Sequence, residues 1–422
     1  VQTVGQKSGF GVLSLPGLRS GLGTVWTIQA CGLTLLTFLC FFPRFNHAVE
    51  YLFFLLFAVA CAAAWMEGSE TSIRTPIDLP LLLFAGWVLC SLPFATDVAY
   101  SFAEWRKLVV QIMLLYWVLL IVRHDRDGMA TKGVLAAVAV GATILSIYAI
   151  TEFFVSGGSW RDRQIRAIAP SSDYNWLTTY LIIGIPLLIV AAVRARDQWL
   201  RWLCAGALGI ALTAQLFSYT RAGWLALVVE GIVFGLFTGR RKVAVGVLLV
   251  SLAIGGGFLA VSKLGYHQVT VSPETWEYRV ALWEKGAREI LSHPLVGVGY
   301  GNDSFSKRFG GHPTKGGPAG LHSFFFMVTL GSGIPALICV VWMFVAAVKT
   351  LVRKGRQVAH PAQSILVIGI AVMVTGFAVR NVFDYMFAGT LAYLFWILTA
   401  TALGQPNGGR NRHEVRPGTA GA

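Results

Sequence analysis

His322 stands where the glycine-rich stretch Gly316–Gly320 gives way to the apolar run Phe324–Leu337. A neutral imidazole with a free ring nitrogen is a usable general base. The partial positive charge at a helix N-terminus favours the neutral ring, and glycines just before it let a substrate approach the backbone closely. Arginines recur at the ends of other apolar runs. They are Arg161, Arg163 and Arg166 in SGGSWRDRQIRAIAPSSDYNW (156–176), Arg221 in SYTRAGW (218–224), Arg279 and Arg288 in TWEYRVALWEKGAREILSHP (275–294), and Arg380, with Asp384, in AVRNVFDYMF (378–387). A lone arginine at such a boundary can simply snorkel to lipid headgroups. Several together are expected to line a basic cavity for an anionic ligand, and the planar guanidinium fork suits phosphate in particular.

Arg221 lies in a turn of only a few residues and is held at the mouth of whatever bundle the apolar runs form. On a helix over 276–292, Trp276, Val280, Trp283, Ala287 and Ile290 make one apolar stripe. Glu277, Glu284, Lys285, Arg288 and Glu289 then fall on the opposite arc, with Arg279 at the stripe's edge. Arg279 is therefore expected beneath the helix and Arg288 in solvent beside Glu284.

Other motifs carry less. Asp125 and Asp127 match an Asp-x-Asp metal pattern but lie among arginines in a basic loop, and no carboxylate pair on the arginine-bearing side has metal spacing. No metal is expected. The glycines at 297, 299 and 301 lack the strand–helix context of a nucleotide loop and read as a tight return of the chain. Glu230 sits within an apolar run, where a carboxylate must face protein or water; a buried hydrogen-bonding role is favoured over a proton relay. The six cysteines all fall in apolar runs without metal spacing.

The elements that must position these residues are membrane helices. Of the 422 residues, 55% are hydrophobic and 13% charged, with mean hydropathy +0.65. A soluble domain carries about twice that charged fraction. The fold class is all-α and polytopic. We read about twelve transmembrane helices, roughly 22–42, 48–66, 79–95, 107–122, 133–155, 176–193, 202–218, 222–238, 243–262, 322–347, 362–379 and 386–403. The organisation is a cytoplasmic N-terminus (1–21), helices 1–9 (22–262), a moderately long periplasmic segment between spans 9 and 10 (263–321), helices 10–12 (322–403) and a cytoplasmic tail (404–422). The N-terminus is not expected to be a cleavable signal, and the Gly/Pro/Arg tail is expected to be disordered. Loops 123–132, 194–201, 239–242 and 349–357 are rich in Arg and Lys, which makes their face cytoplasmic. The opposite face carries the loop 156–175 and the segment 263–321, which is too small for an independent domain and is expected to pack on the bundle as a lid or side wall. The net charge of +14 needs only anionic lipid headgroups as partners, not nucleic acid.

SYTRAGW, YRVALWEKGAREILSHPLVGVGYGNDSF (278–305) and LHSFFFMVTLGSGIPAL (321–337) together resemble the O-antigen ligase and polymerase superfamily, and RAIAPSSDYNWLTTYLIIGIPLL (166–188) is similar to its Arg…Asn-then-apolar segment. The resemblance implies a glycosyltransferase of the bacterial inner membrane, without cofactor, whose active site faces the periplasm. Its donor would be a glycan on undecaprenyl pyrophosphate. It carries the family's arginines onto Arg221, Arg279 and Arg166 and its essential histidine onto His322. Arg161 and Arg288 are further substrate-binding candidates, and Asp384 is one by its outer position alone. The family often has Asn after the histidine; here it is Ser323. Among the branches, a ligase acting on a lipid A–core acceptor is favoured over an O-antigen polymerase or a protein O-oligosaccharyltransferase, on the single moderately long outer segment. The rival of another class is a secondary transporter of an anion, which would show inverted repeats and discontinuous midplane helices.

Overall fold

A computed structural model describes residues 16–67, 73–125, 127–159, 165–170, 173–263, 273–310 and 320–406. The described residues form helices and turns. The helices are α1 (Pro16–Leu39), α2 (Asn46–Met66), α3 (Asp78–Ser91), α4 (Val98–His124), α5 (Met129–Val155), α6 (Tyr174–Arg194), α7 (Gln198–Phe217), α8 (Arg221–Phe237), α9 (Arg241–Lys263), α10 (Pro273–Ser292), α11 (Ser304–Phe309), α12 (Phe324–Gln357), α13 (Pro361–Val382) and α14 (Gly389–Gly404). Each stretch expected as a span contains one of these helices. Seven are long and apolar enough to cross a membrane: α2 with the turn before it, α4, α5, α6, α7, α12 and α13. Gly23–Leu39, Asp78–Phe94 and α14 are shorter apolar helices. The tail beyond 406, the first fifteen residues and parts of 263–321, for which the sequence carries expectations, lie outside the described residues.

The centre of the bundle follows from composition. Residues 177–188 of α6 and 390–402 of α14 are buried without interruption. A helix that is apolar all round has no face for water and belongs in the middle. The α13 helix packs on α6 and completes this core through Phe377, which stacks on Phe395 of α14.

Helix ends sort into two sets. At one end Arg194 donates to the carbonyl of Ala362 (2.9 Å), Lys354 to that of Leu403, Arg356 to those of Leu236 and Phe237, and Gln405 to Thr131. Lys354 and Arg356 here satisfy carbonyls left open at the C-termini of α14 and α8, while Arg194, in the last turn of α6, reaches the first turn of α13. The other end holds the start of α6, the α7–α8 turn, the end of α13 and the start of α12.

Two helices run further than the apolar pattern foretold. The α4 helix begins at Val98, not near 107, because Asp97 caps it by accepting from the Tyr100 amide (2.9 Å). Glu104, Arg106 and Lys107 thus belong to the same helix as the apolar run that follows them. The α12 helix starts at Phe324 and runs through the basic stretch to Gln357, but it is broken at Gly333 (φ 80°, ψ 177°).

The break has a visible cause. The chain from Pro294 to Gly301 inserts beside it: Ile334 N–H donates to Pro294 (2.8 Å), Val298 N–H to Leu330 (2.9 Å) and Gly299 N–H to Gly331 (2.9 Å). Trp87 of α3 closes the other side by donating to the carbonyls of Leu295 and Ser332. Non-helical backbone at this depth is tolerated because its polar groups are paired within protein. The alternating glycines are what allow it. Gly297 has φ 65°, and a Cβ there would overlap the backbone of Leu330 and Gly331. At Gly333 a Cβ would overlap the Leu295 carbonyl. Gly333→Ala should therefore destabilise the protein by at least about 1–3 kcal/mol, read as a lower melting temperature in detergent. Gly209→Ala, on a face of α7 with open space around it, should not. Equal melting of the two variants would contradict this account of the break.

Candidate functional site

His322 and Asp384 meet at the end of the bundle opposite the basic helix C-termini. His322 precedes α12 by two residues; Ser323 is the N-cap and its side chain accepts from the Phe326 amide (3.4 Å). The residue after the histidine thus has a local task, which a serine performs well. Asp384 follows the end of α13, and its backbone carbonyl accepts from the Phe324 amide (3.0 Å). The two segments are stitched together there, leaving His322 Nδ1 3.6 Å from Asp384 Oδ1. That is ion-pair range, slightly beyond a hydrogen bond.

Asp384 is firmly placed. Oδ1 accepts from the Tyr385 amide (3.0 Å) and Oδ2 from Arg380 (3.3 Å). Burial works against its charge, but His322 and Arg380 outweigh that and hold its pKa below the ordinary carboxylate value. It is ionised at neutral pH. Arg380, one turn earlier in α13 and 1% exposed, also donates to Asn175 Oδ1 (2.8 Å). Breaking a buried ion pair by removing one partner typically costs about 3–5 kcal/mol.

The triplet Asp173–Tyr174–Asn175 opens α6 and divides three tasks. Asp173 accepts from the Asn175 amide (2.6 Å) as the helix cap. Tyr174 lies under the Arg166 guanidinium, 4.4 Å from the ring centre. Asn175 holds Arg380. Burial pushes the Asp173 pKa up.

The turn carrying Arg221 is fixed to the same end. Thr178 of α6 donates to Ser218 (3.2 Å), and the Ala167 amide donates to the Phe217 carbonyl (2.9 Å). Arg221 is the first residue of α8, and its side chain is exposed. Tyr219 in this turn and His322 are the two non-glycine residues with positive φ among the described residues, at 50° and 49°. A left-handed backbone at a side-chain-bearing residue costs about 1–2 kcal/mol. Such strain tends to gather at functional sites.

Helix α10 lies over the His322 segment. Trp283 donates to the Leu321 carbonyl (2.8 Å), and Gly286 packs against the Leu321 side chain. The face turned inward carries Trp283 and Ile290 of the expected stripe, but it is centred on Leu282 and Gly286, so the stripe is rotated towards them. Leu282 was not placed on it, and a glycine leaves no hydrophobic mark although it permits close approach. The side chain of Trp276 is outside the described set. With this phase Arg279, three and four residues before Leu282 and Trp283, falls well inside the inward face and is half-buried. It is within electrostatic range of Arg380. Arg288 is exposed on the far side. Glu289, expected in solvent, is instead half-buried and accepts from Arg308 (2.8 Å).

The structure thus joins His322, Asp384, Arg380 and Asn175, with Arg279 close by. Arg166 and Arg221 are tied to the same end without touching that cluster, and Arg161 lies outside the described residues. Sequence reasoning counted Arg380 among the arginines of the basic cavity without giving it a role in the site, and missed Asn175. The four-residue spacing of Arg380 and Asp384 on one helix was the available signal. Glu230 is buried against Gly376 of α13 with no hydrogen-bond partner among the described residues, unlike the hydrogen-bonded role expected of it.

These features define a class: an all-helical, polytopic membrane protein with a charged cluster at one end of its bundle. Residues 206–341 match the family model described as O-antigen ligase, which supports the resemblance to the O-antigen ligase superfamily. The matched stretch holds Arg221, Arg279, Arg288 and His322; Arg166 and Asp384 lie beyond it. No curated protein matches the chain.

Proposed function

We propose that this protein is a glycosyltransferase of the bacterial inner membrane that moves a glycan from undecaprenyl pyrophosphate to a lipid A–core acceptor. The observation that carries the reading is His322 beside an ionised Asp384, at the end of the bundle that also bears Arg279, Arg166 and Arg221. Twelve helices, α1–α9 and α12–α14, each cross once. The basic loops face the cytoplasm, and the His322 end faces the periplasm.

In the proposed reaction Asp384 faces Nδ1, so Nδ1 carries the ring proton and Nε2 keeps its lone pair. Nε2 takes the proton of the acceptor hydroxyl as its oxygen attacks the donor's anomeric carbon. The bond from that carbon to the pyrophosphate oxygen breaks, and undecaprenyl pyrophosphate leaves with the electron pair. Arg279, Arg221 and Arg166 stabilise the charge that grows on it. A single displacement inverts the anomeric centre. Arg288, exposed on the far side of α10, contributes little.

Labelling of cysteines placed at 221 and 322 should find both accessible from the periplasmic side alone; opposite sidedness would overturn the site. The reading is also metal-independent, so transfer should survive EDTA undiminished. Full loss restored by a divalent cation would reject that part. The transporter reading keeps one supporting feature, the discontinuity of α12 at Gly333, but the charged cluster lies at the end of the bundle and not at its middle.

A further inference from the structure

A guanidinium that is 1% exposed is unfavourable unless its hydrogens are engaged. One nitrogen of Arg380, Nη2, donates from α13 both to Asn175 Oδ1 at the start of α6 and to Asp384 Oδ2, while its Nε is buried with no hydrogen-bond partner among the described residues. Asn175 is itself fixed, since its amide donates to Asp173. The other charged groups about this pair are Asp173 before α6, Arg279 on α10 and His322 before α12. Asp384 offers Oδ2 to Arg380 and turns Oδ1 towards His322.

We infer that Arg380, held by Asn175, is a positioning residue for the proposed transfer: it fixes the Asp384 carboxylate and, through it, the tautomer and orientation of the His322 ring. The role rests on the reading of His322 as the base. Arg380 is too buried to meet the donor, so its influence on rate must pass through Asp384. A pair kept only for charge balance would work as well if both members were replaced by neutral side chains of similar size. A pair that orients a base would not.

The test is a double-mutant cycle in the purified full-length protein, assayed with a polyprenyl-pyrophosphate-linked glycan and a lipid A–core acceptor. Arg380→Lys keeps the charge but replaces the rigid guanidinium, whose Nη2 bridges Asn175 and Asp384, with a shorter-reaching ammonium on a flexible stem. It should lower kcat by about 10²-fold, the loss that a misplacement of roughly 1 Å carries, with donor KM changed less than about threefold. On an Asp384→Asn background the same substitution should lower kcat by less than about threefold, because residues acting through one another are not additive. The neutral pair Arg380→Met with Asp384→Asn guards against misfolding: it should melt near the parent yet remain slow. Equal losses from Arg380→Lys on both backgrounds, or a neutral pair with parental kcat, would overturn the positioning role while leaving the proposed reaction intact. No transfer by the unsubstituted protein would overturn both.

Discussion

His322→Ala should lower the turnover of glycan transfer by about 10²–10⁴-fold, the range that a positioned general base supplies, while binding of the lipid-linked donor stays near parental. The split between the two effects identifies the role. A base acts on the acceptor hydroxyl in the transition state, so its loss appears in kcat. A residue that only shapes the helix end would instead lower the amount of folded protein, and that is separable by measuring melting and donor binding on the same preparation. His322 holds a left-handed backbone at φ 49°, so His322→Gly relieves strain while removing the imidazole. A folded His322→Gly protein that is as slow as His322→Ala would tie the loss to the ring and not to the backbone. A folded His322→Ala protein with near-normal transfer would remove the base assignment.

The arginines should divide by position. Loss of one donor to a developing oxyanion in a dry site is worth about 3–4 kcal/mol, or roughly 10²–10³ in rate. Arg279→Ala should show a loss of this size, because Arg279 lies on the inward face of α10 beside the Arg380 cluster. Arg288→Ala, on the exposed arc of the same helix, should fall within about 0.5 kcal/mol of the parent, as surface substitutions do. Arg221→Ala should weaken donor binding as well as rate, because pyrophosphate is already charged in the ground state. Arg221→Lys should restore only part, since an ammonium cannot reproduce a two-point guanidinium contact. Equal losses at Arg279 and Arg288 would contradict the phase of α10 seen here.

What was legible in the sequence follows a physical divide. Long apolar runs announce helices because the bilayer leaves few other ways to satisfy a backbone, and each of the twelve expected runs holds a helix. Charge at the ends of those runs marked His322, Arg221 and Arg279. The centre of the inward face of α10 was displaced because Gly286 carries no hydrophobic signal yet packs against Leu321, although Trp283 and Ile290 pack as the stripe foretold. The break in α12 was hidden for a related reason. Gly333 and Pro335 sit in a run that reads as continuous, and only the insertion of Pro294–Gly301 beside them shows why the helix stops and restarts. Arg380 was visible as a charge, but its partner Asn175 lies 205 residues away, a pairing that no local pattern carries.

The central claim is transfer from a lipid-linked donor, and it is tested by following a radiolabelled glycan on undecaprenyl pyrophosphate with the purified full-length protein. The account predicts that label moves to a lipid A–core acceptor with inversion at the anomeric carbon, that undecaprenyl pyrophosphate is released in equal amount, and that both stop in His322→Ala. An absence of transfer, together with accumulation of an anionic solute inside proteoliposomes bearing the protein, would contradict it.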